Sequence, residues 1–161
     1  SAFVTGVQTC ALPIFIDVYL IANDVEGLPN GAFYFSPSYR ALELLKEGGF
    51  RREAGYLCLE QQLGADASVV VFFLADLSRL LDGYGNRGYA AAQLEAGIVG
   101  GKIYLCAYAL GLGTTGTTFY DDDVTAFFAP HAQDKSAIFA VALGRAARAP
   151  GRTEPLSPGA R

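Results

Sequence analysis

Residues 68–75, SVVVFFLA, constrain the fold more than any other stretch of this chain. A continuous apolar run of strand length offers no polar face, so it reads as a central strand buried on both sides. Residues 136–143, SAIFAVAL, have the same character. Strands buried on both faces need helices above and below, so the expected class is α+β in a layered α/β/α arrangement. With 161 residues, 52% hydrophobic and 17% charged, the chain suits one such domain and is short for two.

The remaining segments fill in around those two strands. FIDVYLIA at 15–22 and AFYFS at 32–36 are rich in β-branched and aromatic residues and read as strands, joined by the turn-forming NDVEGLPNG. Residues 40–46 add a third short strand, although propensity alone permits helix. Residues 50–63 read as one helix, with Tyr56, Leu59 and Leu63 at i, i+3 and i+7. Residues 77–81 form a short helix ended by the breaker cluster DGYGN. The longest helical pattern runs from Arg87 to Leu110, with Leu94, Ile98, Leu105 and Tyr108 among alanines and glycines. Glycine costs about 1 kcal/mol against alanine in a helix interior, so Gly88, Gly97, Gly100 and Gly101 each require a packing reason. GLGTTGTT at 111–118 reads as a glycine helix cap followed by a loop, and 121–128 as a short helix with acids in its first turn. Residues 144–161 form a polar tail.

Several function classes are excluded or weakened. A net charge of −4 leaves no basic footprint for nucleic acid. No uninterrupted apolar run reaches the ~18 residues of a membrane span. Cys10, Cys58 and Cys106 have no metal-ligand spacing, and an odd count without a framework points to a reducing, cytoplasmic setting. Cys58 and Cys106 read as small buried hydrophobes on helices. His131 stands alone and reads as a surface residue, so no metal site is expected.

Residues 4–14, VTGVQTCALPI, resemble the translation of a sequencing-library adapter. The expected organisation is a non-native segment at 1–14, a partial domain at 15–145 and a tail at 146–161.

Several blocks in order carry a family likeness. Arg87-Gly88-Tyr89, Leu94-Glu95-Ala96-Gly97, the ALGLG at 109–113 and the FYDD at 119–122 resemble the second half of SagB-type dehydrogenases, flavin enzymes of the nitroreductase superfamily. Upstream, DVYL, DVEGL and GAFYF look like that family's hairpin. The likeness spans roughly 15–145 and implies a nitroreductase-like fold with a mostly antiparallel central sheet, lacking its N-terminal part. It also implies an FMN-dependent oxidoreductase, with NAD(P)H or a modified peptide as substrate. In relatives the flavin lies at a homodimer interface formed largely by the long helix, here Arg87 to Leu110. The phosphate-binding cluster would precede Phe15, so this chain by itself is expected to hold flavin poorly.

Site residues follow from the resemblance. Gly113, Thr114, Thr115, Gly116 and Thr117 would contact the flavin ring through backbone N–H groups and hydroxyls, or else form an ordinary loop after the helix cap. Arg145 and Arg148 would grip the flavin phosphate, where a guanidinium fork binds two oxygens, or else belong to a solvated tail. Tyr84 stands where azoline dehydrogenases of this type carry a Lys-Tyr pair for proton removal; here the pair is Gly83-Tyr84. A packed turn aromatic is the other reading. Glu95 is either a hydrogen-bonded acid near the site or part of an exposed helix face. A flavin-free homologue serving as a partner subunit is the rival function.

Overall fold

A computed structural model describes residues 13–145. Its centre is a six-stranded, wholly antiparallel sheet in the order β3-β2-β1-β4-β6-β5. The strands are β1 (Asp17–Ala22), β2 (Gly31–Ser36), β3 (Ala41–Glu47), β4 (Val69–Ala75), β5 (Gly113–Thr117) and β6 (Ser136–Gly144). The helices are α1 (Arg51–Leu57), α2 (Gln62–Asp66), α3 (Leu77–Tyr84), α4 (Asn86–Ala109) and α5 (Asp121–Phe127). The class is α+β, and the continuous apolar runs are indeed the inner strands β4 and β6.

Side chains alternate along each strand, so β4 sends them in turn to two cores. Val70, Phe72 and Leu74 pack with Leu57, Cys58, Val124 and Phe128 on one side. Val71, Phe73 and Ala75 pack with Ala96, Val99 and Ile103 of α4 on the other. Between these strands the register passes from Phe73↔Phe139 to Leu74↔Ala137, leaving Ile138 as an extra residue. This bulge turns both Ile138 and Phe139 toward α4.

Three expectations of secondary structure need correction. The single helix over 50–63 is two, α1 and α2, separated by Leu59 and Glu60 at φ 55° and 58°. The chain doubles back there because glycines let the two backbones meet. A Cβ on Gly64 would lie 2.6 Å from the Ala54 carbonyl oxygen. Tyr56, Leu59 and Leu63 are consequently exposed, and Ala54, Leu57 and Cys58 form the buried set. The DGYGN cluster breaks the helix at one residue only: α3 continues to Tyr84, Gly85 takes φ 58°, and α4 begins at Asn86.

The third correction concerns 113–117, a strand where a loop was expected. The cap before it is as read: Gly111 at φ 70° receives a Schellman turn, with Gly111 N–H donating to Tyr108 O (3.0 Å) and Leu112 N–H to Ala107 O (2.9 Å). That turn aims the chain at the open edge of β6, where β-branched threonines suit an extended backbone. Cys106 is half-buried on α4, not fully buried. Positions 1–12 and 146–161, which hold Cys10, most of the adapter-like string and Arg148, lie outside the described residues.

Candidate functional site

Two clefts gather most of the expected site residues, and they sit at opposite ends of the sheet. The first, about 350 Å³, is walled by Gly113, Thr114, Thr115 and Arg145 with Leu63 and Asp66 of α2. It lies where β4 begins, β6 ends and β5 starts. Thr114 Oγ1 donates to Ala142 O (3.1 Å) and Thr115 Oγ1 to Gly116 O (3.1 Å), which fixes both hydroxyls. Arg145 follows the last residue of β6 and is exposed at the rim.

Because β5 is an edge strand, every second residue presents its N–H and C=O away from β6. Gly116 is one of these: its N–H donates to the Tyr104 hydroxyl, and a Cβ there would lie 3.2 Å from the Phe139 ring. Thr114 shares the outward edge by alternation. The remaining two expected residues are turned elsewhere. Gly116 is closed off by Tyr104 and Phe139, and the Thr117 hydroxyl accepts from Gln61 Nε2 (3.2 Å). Gln61 also donates to Thr118 Oγ1 (3.0 Å). Burial pushes the neighbouring Cys58 thiol up to about 11, against a smaller opposing effect of the Thr117 hydrogen bond. Sequence reading missed Gln61 and Tyr104, since nothing local marks a contact 56 or 12 residues away.

The second cleft, about 570 Å³, contains Tyr84, 59% exposed at the end of α3. The five consecutive residues Pro13, Ile14, Phe15, Ile16 and Asp17 line it, together with Asp76, Arg79 and Leu80. The Phe15 ring meets Tyr84 edge-on, with centroids 5.6 Å apart. Tyr84 is therefore partly packed while its ring remains accessible. The second cleft opens where β4 ends, so roughly 20 Å of strand separates it from the first.

The structure also assembles a polar cluster that the sequence did not suggest. Lys135 pairs with Asp17 (2.8 Å) and donates to the Tyr19 hydroxyl (2.8 Å), while Tyr34 donates to Asp17 (3.1 Å). His131 is exposed as a residue, yet its Nδ1 lies 3.0 Å from the Tyr19 hydroxyl. Burial, with Asp17 adding to it, raises both phenols, Tyr34 to about 12 and Tyr19 higher still. Among the described residues no group of His, Cys, Asp and Glu is placed to hold a metal, and no helix is long and apolar enough to cross a membrane.

Comparison with known proteins agrees with this architecture. Residues 16–145 match the model of the nitroreductase family. A Methanocaldococcus jannaschii protein named for the nitroreductases is 29% identical over 110 residues, covering 68% of this chain and 56% of that one. A crystal structure named for the same enzymes, from Anabaena variabilis, superposes with a TM-score of 0.77 at 35% identity, over 81% of this chain and 27% of that one. The fold also recurs in the Escherichia coli microcin synthetase McbBCD complex with truncated pro-MccB17 bound, at TM-score 0.65 and 18% identity, over 82% of this chain and 52% of that one. The chain thus spans about half the length of the curated relative and about a quarter of the Anabaena protein. With the family match running through every strand of the sheet, the chain belongs to the nitroreductase family.

Proposed function

We propose that this chain belongs to an FMN-dependent oxidoreductase of the SagB type, whose site is completed by a second copy. The observation that carries this reading is the separation of the two clefts. Thr114, Thr115 and Arg145 lie at one end of the sheet and Tyr84 at the other, so one protomer does not bring them to a common substrate. Association through α4 supplies the missing half. Its outer face carries Leu94, Ile98, Leu105 and Tyr108, all exposed, at heptad-like spacing with Gly97 and Gly101 open between them.

The first cleft fits a flavin in its donor set. An open strand edge offers paired N–H and C=O groups of the kind that match a pyrimidine edge, and Arg145 offers a guanidinium to a phosphate. Thr114 would hold the ring edge through its outward N–H and C=O, with Gly113 and Thr115 lining the cleft beside it, while Gly116 and Thr117 shape the strand from behind; Arg148 is proposed as a second phosphate ligand. When bound, FMN supplies the two-electron chemistry by accepting hydride at its N5. Tyr84 would move a proton at its phenol oxygen, and Phe15 would help to exclude water beside it. NAD(P)H and modified peptides are the proposed substrate classes. The reading places the protein in the cytoplasm, with Cys58 and Cys106 reduced.

The test is the complete gene product purified from FMN-supplemented cells. A yellow protein that releases flavin on denaturation is expected, and Tyr84→Phe should lower kcat by roughly 100-fold with KM little changed, the scale of a lost proton-transfer group. A colourless protein would favour the flavin-free partner subunit, a reading supported by glycine at position 83 where a Lys would sit beside Tyr84.

A further inference from the structure

Glu95 does something that neither the fold nor the proposed chemistry requires of a mid-helix acid. Its carboxylate accepts three consecutive backbone N–H groups from a segment 79 to 81 residues away: Ile14 at 2.8 Å, Phe15 at 2.7 Å and Ile16 at 3.0 Å. Oε1 takes the first and Oε2 the other two. Three successive N–H groups converging on one anion form a concave donor site, and hydrogen bonds to an ionised acceptor are about twice as strong as neutral ones. The segment so held is the one that lines the Tyr84 cleft. Phe15 faces Tyr84 on one side and, on the other, shares a smaller hollow with Glu95, Ala91 and Ile98 of α4.

We infer that Glu95 is a positioning residue: it clasps the chain entering β1 and thereby sets Phe15 and the wall of the Tyr84 cleft. Ile16 is the only residue of the three whose side chain is buried, so side-chain packing holds the start of the segment weakly. The clasp lies on α4, the helix proposed to join two copies, and so ties the geometry of the Tyr84 cleft to that helix. Because the donors are backbone groups, any residue except proline at position 14 preserves the arrangement. The inference rests on the proposed role of Tyr84 only for its effect on a reaction; the clasp itself is independent of flavin.

The experiment is amide hydrogen exchange by NMR on the chain and on Glu95→Ala, each with and without sodium formate, and with sodium chloride at matched ionic strength. In the unaltered chain the Ile14, Phe15 and Ile16 amides should be protected. In Glu95→Ala their exchange should rise roughly tenfold or more, with β4 amides unchanged, since a lost charge-assisted bond is worth at least that factor. Formate, a carboxylate small enough to enter the vacated donor site, should restore protection and the nuclear Overhauser contact between Phe15 and Tyr84; chloride should not. Exchange at 14–16 equal to that of the parent, or formate acting no better than chloride, overturns the inference. If Glu95→Ala does not fold, Glu95→Gln serves: its amide retains one acceptor and presents an NH2 to the remaining donors, so faster exchange is expected at one or more of the three amides, and unchanged protection at all three again overturns it. Activity lost in Tyr84→Phe but kept in Glu95→Ala would leave the Tyr84 reading standing while removing the positioning role. The reverse pattern would sink the Tyr84 reading alone.

Discussion

The two faces of α4 are both apolar, but they are built on opposite plans. The inner face meets the sheet with Ala92, Ala96, Gly100 and Ala107, with Val99 and Ile103 as its larger fully buried residues and Tyr104 packed at its margin. The outer face carries Leu94, Ile98, Leu105 and Tyr108, with Leu105 72% exposed. An amphipathic surface helix puts its large apolar residues toward the core. Here the core side is filled by the aromatic rings of the sheet, above all Phe73 and Phe139, stacked at 5.8 Å, so the helix must be small there to come close. The glycines divide the same way. A Cβ on Gly88 would lie 2.4 Å from the Leu80 carbonyl oxygen, and one on Gly100 would lie 2.7 Å from Phe139. Gly97 and Gly101 face open space. The inner face is covered by the sheet, and the outer face is left exposed.

The largest effect that can break this contrast is on association. Leu105→Glu should leave the folding stability of the monomer nearly unchanged, within about 0.5 kcal/mol, yet abolish self-association. Thermal unfolding reads the first and light scattering coupled to size exclusion the second, and a variant that still dimerises would remove α4 from the interface. Next in size, Gly88→Ala should destabilise by about 1–3 kcal/mol, because backbone carbonyl cannot move aside as a flexible side chain can. Denaturant titration measures it, and a neutral result would mean that α3 and α4 can separate freely.

Gly97→Ala sharpens the contrast with the opposite sign. In a dilute monomer it should stabilise by up to about 1 kcal/mol through helix propensity alone, while weakening any association that needs close approach. The smallest effect is chemical. Cys106, half-buried on α4, should react with a thiol reagent in the native chain well before Cys58. Burial raises the Cys58 thiol from an ordinary 9 to about 11, so the folded state keeps a proton that the unfolded state loses. The stability this contributes is complete below pH 9 and is lost as pH rises toward 11. Circular dichroism across that window should show melting temperatures falling, and Cys58→Ser should flatten the fall.

The contrast also shows what kind of information a sequence holds. β4 and β6 were legible because a short unbroken apolar run, rich in β-branched and aromatic residues, suits a strand buried on both faces. The Schellman cap at Gly111 was legible because positive φ is a local demand. The orientation of α4 was not, since a helix apolar on every side has no periodic signal to say which side is inside. Nor was the break between α1 and α2, because it depends on Gly55 and Gly64 allowing two backbones to meet. The threonines after Gly111 looked like a loop until β6 offered them an open edge.

Local chemistry therefore decided the fold class, the inner strands and the caps, while the family resemblance singled out the residues worth testing: Tyr84, Thr114, Thr115 and Arg145. Tertiary structure alone decided how they group. It separated Tyr84 from the threonine strand by the length of the sheet, turned Gly116 and Thr117 away from the first cleft, and delivered three backbone N–H groups to Glu95 across some 80 residues of chain. Periodicity and turn preference act over a few residues. The meeting of distant groups depends on how whole elements pack, and no local pattern encodes that.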